Sequence, residues 1–112
     1  MKLTDIIKGS EYDLSLFTEA QISELKSRIV ERQTKKGVEY YITCTVRKKD
    51  IKATPEEVVR QLYLLVLTSD LGYPVSRMEL EYEVTFGREK KRADIVIFDK
   101  QQTTSPYIIV EV

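Results

Sequence analysis

Two carboxylates, Asp94 and Glu111, sit in neighbouring apolar stretches, ADIVIFD and YIIVEV, joined by the polar turn KQQTTSP. Side chains alternate faces along a strand. Asp94 therefore shares a face with Val96 and Phe98, and Glu111 with Ile109 and Tyr107. A short connection makes the two strands antiparallel partners, with both acids toward the same end of the hairpin. Burying carboxylates without partners is costly. A divalent cation is one solution: Mg²⁺ takes one or two carboxylates, keeps several waters and leaves room for a phosphate oxygen. Its bound water is a better nucleophile, and its charge stabilises a phosphate under attack. On spacing alone a plainer reading is preferred, in which Asp94 pairs with Arg92 or Arg88 and Glu111 is a strand-end charge.

Composition narrows the chemistry. The 112 residues are 42% apolar and 32% charged, an ordinary globular composition for one small domain. Lys plus Arg and Asp plus Glu both total 18, so any basic surface must be local. There is no histidine, which excludes His-based zinc sites and Ser-His catalysis within these residues. The single cysteine, Cys44, forms no internal disulfide and fits a cytoplasmic protein. The N-terminus turns polar at once, unlike a signal peptide, and no apolar run is long enough to span a membrane.

The elements that must position the two acids read as follows. Thr18 and Gln21 form a capping box, with Phe17 and Ile22 placed as a hydrophobic staple. A helix is expected from Glu19 to Lys36, closed by Gly37. Val38, Tyr40, Ile42, Cys44 and Val46 alternate as a strand. A second helix starts with Thr54 as N-cap, Pro55 at N1 and Glu57 closing a capping box. Its apolar positions extend so far round that it must be covered on more than one side. Met78 to Phe86 alternates apolar with Glu79, Glu81 and Glu83. The turn GREKKR then leads into ADIVIFD. The last two strands are nearly continuous apolar, as in a sheet covered on both faces. The expected fold is α/β (α+β), a mixed central sheet of about four strands flanked by helices. One domain, 1–112, is expected, with a helical extension over 1–37 and a partial core over 38–112.

TPEEVVRQLYLLVL, LGYP, KRADIVIFD and PYIIVEV, in that order, resemble the N-terminal domain of type I restriction enzyme R subunits, within the PD-(D/E)xK nuclease superfamily. The resemblance covers roughly Tyr40 to Val112. It implies a restriction-endonuclease-like core and Mg²⁺-dependent (or Mn²⁺-dependent) hydrolysis of DNA phosphodiesters. Carried over, Asp94 is the motif aspartate and Glu111 the motif glutamate, both as metal ligands. A helix glutamate also contributes in that superfamily, and Glu57 matches best, then Glu56. The motif lysine falls one position after Val112, so these 112 residues are expected to be inactive by themselves, with an incomplete core. The implied partners are duplex DNA and other restriction-modification subunits. The alternative is a catalytically inactive nuclease-like module that binds DNA or a partner protein.

The remaining candidates have plain readings beside the functional ones. Glu57 serves as a capping partner. Arg60 forms an i,i+4 pair with Glu56. Arg88, Lys90, Lys91 and Arg92 read as a solvated turn or as contacts to a DNA backbone, and Lys48, Lys49 and Lys52 carry the same ambiguity. Cys44 and the tyrosines, including Tyr82 and Tyr107, read as structural. No GxxxxGK[ST] loop occurs, so there is no ATP site of that kind. A greasy final strand is expected to promote self-association.

Overall fold

The computed structural model describes residues 3–102 and 105–112. Thr103 and Thr104, in the expected KQQTTSP turn, lie outside the described residues. The chain runs through α1 (Leu3–Ile7), α2 (Glu19–Lys26), β1 (Ile29–Thr34), β2 (Gly37–Cys44), β3 (Lys49–Lys52), α3 (Pro55–Leu65), β4 (Met78–Phe86), β5 (Glu89–Phe98) and β6 (Pro106–Val110). The α+β class is as expected. The strands are divided, however, between two three-stranded antiparallel sheets, β1-β2-β3 and β4-β5-β6, in place of one central sheet of about four. Every pairing joins strands consecutive in sequence, so local hairpins satisfy the ladders of each sheet.

The N-terminal capping box forms as read: Gln21 N–H donates to Thr18 Oγ1, and Thr18 N–H donates to Gln21 Oε1. The helix it opens stops at Lys26 instead of continuing to Lys36. Ile29–Thr34 is a strand, paired antiparallel with β2 from Ile29↔Ile42 to Thr34↔Gly37. The β-branched Ile29, Val30 and Thr34 fit a pleated ladder better than a helix. Gly37 closes a hairpin, not a helix, at a φ of 111°.

α3 is the spine of the molecule. Val58 and Leu62 pack with Leu25, Ile42 and residues of α1. Leu64, with Leu67 beyond the helix, packs with Met78, Ile95 and Ile97 of the second sheet. Its wide apolar face is explained by these two cores. The helix runs into a π-helical turn, Val66–Asp70, before Gly72 and Pro74 redirect the chain. Thr54 caps its start by accepting from Glu57 N–H, but only that half of the expected capping box is present.

The second sheet departs from the reading at two points. The hairpin reverses at Gly87 and Arg88, so Glu89–Arg92 belong to β5 and not to a turn. Ile95–Phe98 are all buried, as a doubly covered strand should be, but β6 is not: Tyr107 is 62% and Ile109 38% exposed. β6 is the edge of its sheet, bonded on one side only among the described residues. Tyr82 is likewise partly exposed, edge-on to Phe98. Cys44 is buried, as read.

Candidate functional site

Arg60 lies one turn into α3 and is 4% exposed. A buried guanidinium needs acceptors, and four carboxylates face it. Its Nη1 donates to Glu57 Oε1 at 2.6 Å, and its Nη2 donates to Glu56 Oε1 at 3.0 Å and Asp94 Oδ1 at 3.1 Å. Glu81 Oε1 stands 3.6 Å from the same Nη2. Burial lowers the affinity of this guanidinium for its proton. The hydrogen bond to Asp94 and the charges of Glu57 and Glu81 more than offset that, raising it above the ordinary arginine value. Arg60 Nε is buried with no hydrogen-bond partner among the described residues.

Glu57, also 4% exposed, is tied at both oxygens. Arg47 Nη1 donates to Oε2 at 3.0 Å and Gln61 Nε2 donates to the same oxygen at 2.9 Å. This explains the missing half of the capping box: the carboxylate that would turn back to Thr54 is engaged by two arginines instead. Arg47 also reaches Glu81, at 3.6 Å. The i,i+4 pair of Glu56 and Arg60 forms as read but is one spoke of this larger cluster.

Asp94 pairs with Arg60, not with Arg88 or Arg92. Its second oxygen, Oδ2, accepts from the backbone N–H of Val112 at 2.8 Å. The β5–β6 ladder ends at Ile95↔Val110, so Asp94 in β5 and Glu111 just past β6 flank its end. Their side chains have different partners: Glu111 Oε1 takes Lys91 Nζ at 3.0 Å, on an exposed surface. The structure thus brings Glu57 and Asp94 to one guanidinium and leaves Glu111 at the rim. Among the described residues no three His, Cys, Asp or Glu side chains converge as a metal-holding group.

Glu81 and Arg47 were missed as site residues. Glu81 reads as one more glutamate on the solvent side of an alternating strand. Its backbone is at φ 53°, a left-handed conformation that is strained for a non-glycine residue. The ladder pairs Leu80↔Ile95 and Tyr82↔Ala93 but skips Glu81 opposite Asp94. This local break accompanies the inward reach of its carboxylate. Arg47 sits in the β2–β3 turn, where sequence gives no sign that it meets a helix eight residues further on.

Beside the cluster is an open cavity of about 180 Å³, lined by Glu11, Tyr12, Phe17, Val59, Tyr63 and Val112. Burial, then the charges of Glu56, Glu11 and Asp94, pushes the Tyr12 phenol above its usual value. The 11–17 segment therefore forms one wall of the site. Of the basic candidates, Arg88, Lys90, Lys91 and Arg92 are exposed on the β4–β5 hairpin. Lys90 and Lys91 pair with Glu83 and Glu111. Lys48 and Lys49 are exposed on the other sheet, and Lys52 stands 4.0 Å from Glu39.

No helix among the described residues is long and apolar enough to cross a membrane. The family model for the type I restriction enzyme R protein N terminus matches residues 55–112, just over half of the chain. The match opens at the N1 proline of α3 and takes in every residue of the cluster except Arg47. No curated protein and no solved structure matches the chain.

Proposed function

The chain belongs to the type I restriction enzyme R protein N-terminus family, and from that premise we propose that it is a DNA endonuclease module of the PD-(D/E)xK kind. Its reaction is Mg²⁺-dependent hydrolysis of a phosphodiester in duplex DNA, in a restriction-modification setting with other subunits as partners. The observation that carries this reading is the gathering of Asp94 and Glu57, from two separate elements, around one buried arginine, with Glu111 beside Asp94 at the ladder end.

The side chains match a hard divalent cation in donor type alone, since among the described residues no three of them converge on one point. Carboxylate oxygens are what Mg²⁺ and Mn²⁺ take. Glu56, Glu57, Glu81 and Asp94 outnumber Arg47 and Arg60, so the cluster carries an excess of negative charge. Asp94 and Glu111 would hold it. When bound, the ion supplies a water of lowered pKa and neutralises charge on the phosphate. Glu57 keeps α3 and Arg60 fixed against β5. Arg88, Lys90, Lys91 and Arg92 meet the DNA backbone and give affinity without reading sequence.

The test is nicking of duplex DNA with Mg²⁺ by the full-length protein, wild type against Asp94→Ala. Activity lost in Asp94→Ala supports the reading; equal activity in both removes it. The counter-charged state of Asp94 and Glu111 favours one other reading, a nuclease-like module that binds DNA or a partner without cutting. DNA binding with no nicking and no response to Mn²⁺ would decide for that reading.

A further inference from the structure

We propose that the open cavity between the 11–17 segment and α3 is a docking site for an arginine side chain of a partner polypeptide. The proposal stands apart from the nuclease reading above. The cavity holds about 180 Å³. Pockets for drug-sized ligands start at about 300 Å³, so this one suits a single long side chain. Tyr12, Phe17 and Tyr63 give it aromatic walls. The Phe17 and Tyr63 rings meet edge to face, with centroids 5.1 Å apart and planes at 75°. A planar guanidinium stacks on such rings and is attracted by their quadrupole. Leu16 also lines the cavity and is 76% exposed. It offers apolar surface to the methylene stem of an arginine and to the chain that carries it, which a small free cation would leave uncovered.

Charge selects this occupant. Glu11 and Asp13 are the charged side chains of the lining, both exposed and both acidic. Glu11 has no ion-pair partner among the described residues. Asp13 accepts from the Ser15 hydroxyl and N–H, which holds its carboxyl below the ordinary aspartate value and keeps it charged. The arginine cluster adds to the same field. Burial, then Glu56, Glu11 and Asp94, raises the Tyr12 phenol, and Arg60 only partly opposes them. A phosphate or an acidic peptide is repelled here. A lysine brings the charge without the plane that stacks. The 11–17 segment lies outside the residues matched by the family model, while α3 and Val112 lie within them. The site therefore joins the family region to the segment that precedes it.

The experiment is an NMR titration of the full chain with the blocked tripeptide Gly-Arg-Gly, read on the aromatic ring signals. Saturable shifts are expected at Tyr12, Phe17 and Tyr63. The same tripeptide with neutral citrulline should give none, and with lysine should bind more weakly. Glu11→Gln should weaken the arginine peptide about threefold, and Tyr12→Leu about fivefold. Glu31→Gln, an exposed acid on β1, should leave binding unchanged. If Tyr12→Leu disturbs the 11–17 segment, Glu11→Gln alone must show the loss. Absence of saturable ring shifts overturns the proposal. Equal binding of the citrulline peptide overturns it by removing the role of charge, and equal binding of the lysine peptide by removing the role of the guanidinium plane. Equal weakening in Glu11→Gln and Glu31→Gln reduces the effect to net charge and overturns it as well. Methylguanidinium binding as tightly as the peptide would make the site one for a free small cation and refute a polypeptide partner.

Discussion

Glu57 is a buried acid with two arginines and a glutamine on it, and removing it takes from Arg60 its 2.6 Å contact and leaves Arg47 only the longer one to Glu81. Breaking a buried pair from one side typically costs about 3 kcal/mol or more. Losing the Thr54 side-chain cap of the same helix costs about 1 kcal/mol. In urea unfolding, Glu57→Leu is therefore expected to lower stability by about three times as much as Thr54→Ala. Equal losses would mean that Glu57 acts only as a first-turn acid of α3. Position 81 offers a second contrast. Strand propensity ranks valine above glycine, but the φ of 53° at Glu81 reverses that order, because a β-branched residue resists the left-handed region and glycine does not. Glu81→Gly should melt at a higher temperature than Glu81→Val. The opposite order would show that the backbone at 81 relaxes into regular strand.

At the level of elements, the same sequence signal served two structures. Lys35-Lys36-Gly37 has the basic end and glycine of a helix C-terminus, and also the form of a tight hairpin. The capping box at Thr18 fixed where α2 begins, but nothing as local fixes where it ends. Pairing of Ile29–Thr34 with β2 decided the matter from outside the segment. β4, the core of β5 and the start of α3 were legible because alternation, an apolar run and a Thr-Pro start each specify themselves. The β4–β5 turn was overextended for the opposite reason: polar residues in an exposed hairpin look like loop whether or not they pair. The site was legible in part. Asp94 and Glu57 stood out, while Arg47 and Glu81 depend on contacts between elements far apart in sequence. Gly37 tests the hairpin assignment. An alanine forced to its φ of 111° carries a penalty of about 1 kcal/mol, so Gly37→Ala should lower the urea midpoint. No loss would show that position 37 does not need its positive φ.

For the whole molecule, the balance of 18 basic and 18 acidic residues sets how the proposed DNA partner would be held. With no net charge there is no long-range pull, and attraction must come from a patch within a Debye length of the phosphates. In the proposed function that patch is the β4–β5 hairpin, where Arg88, Lys90, Lys91 and Arg92 are exposed together. Lys90 and Lys91 already sit near Glu83 and Glu111, so part of their charge is offset before DNA arrives. Each phosphate neutralised contributes about −0.9 to the slope of log K against log salt. Four cations therefore set a ceiling of about −3.6, and the two offset lysines should hold the slope below it. Fluorescence anisotropy on a short duplex at several salt concentrations measures this directly. Arg88→Glu with Arg92→Glu should weaken binding equally for unrelated sequences and flatten the slope. Lys48→Glu with Lys49→Glu, on the other sheet, should leave both nearly unchanged. If the second pair matters more than the first, DNA lies against β2 and β3, away from Asp94, and the hairpin is not the phosphate-binding surface.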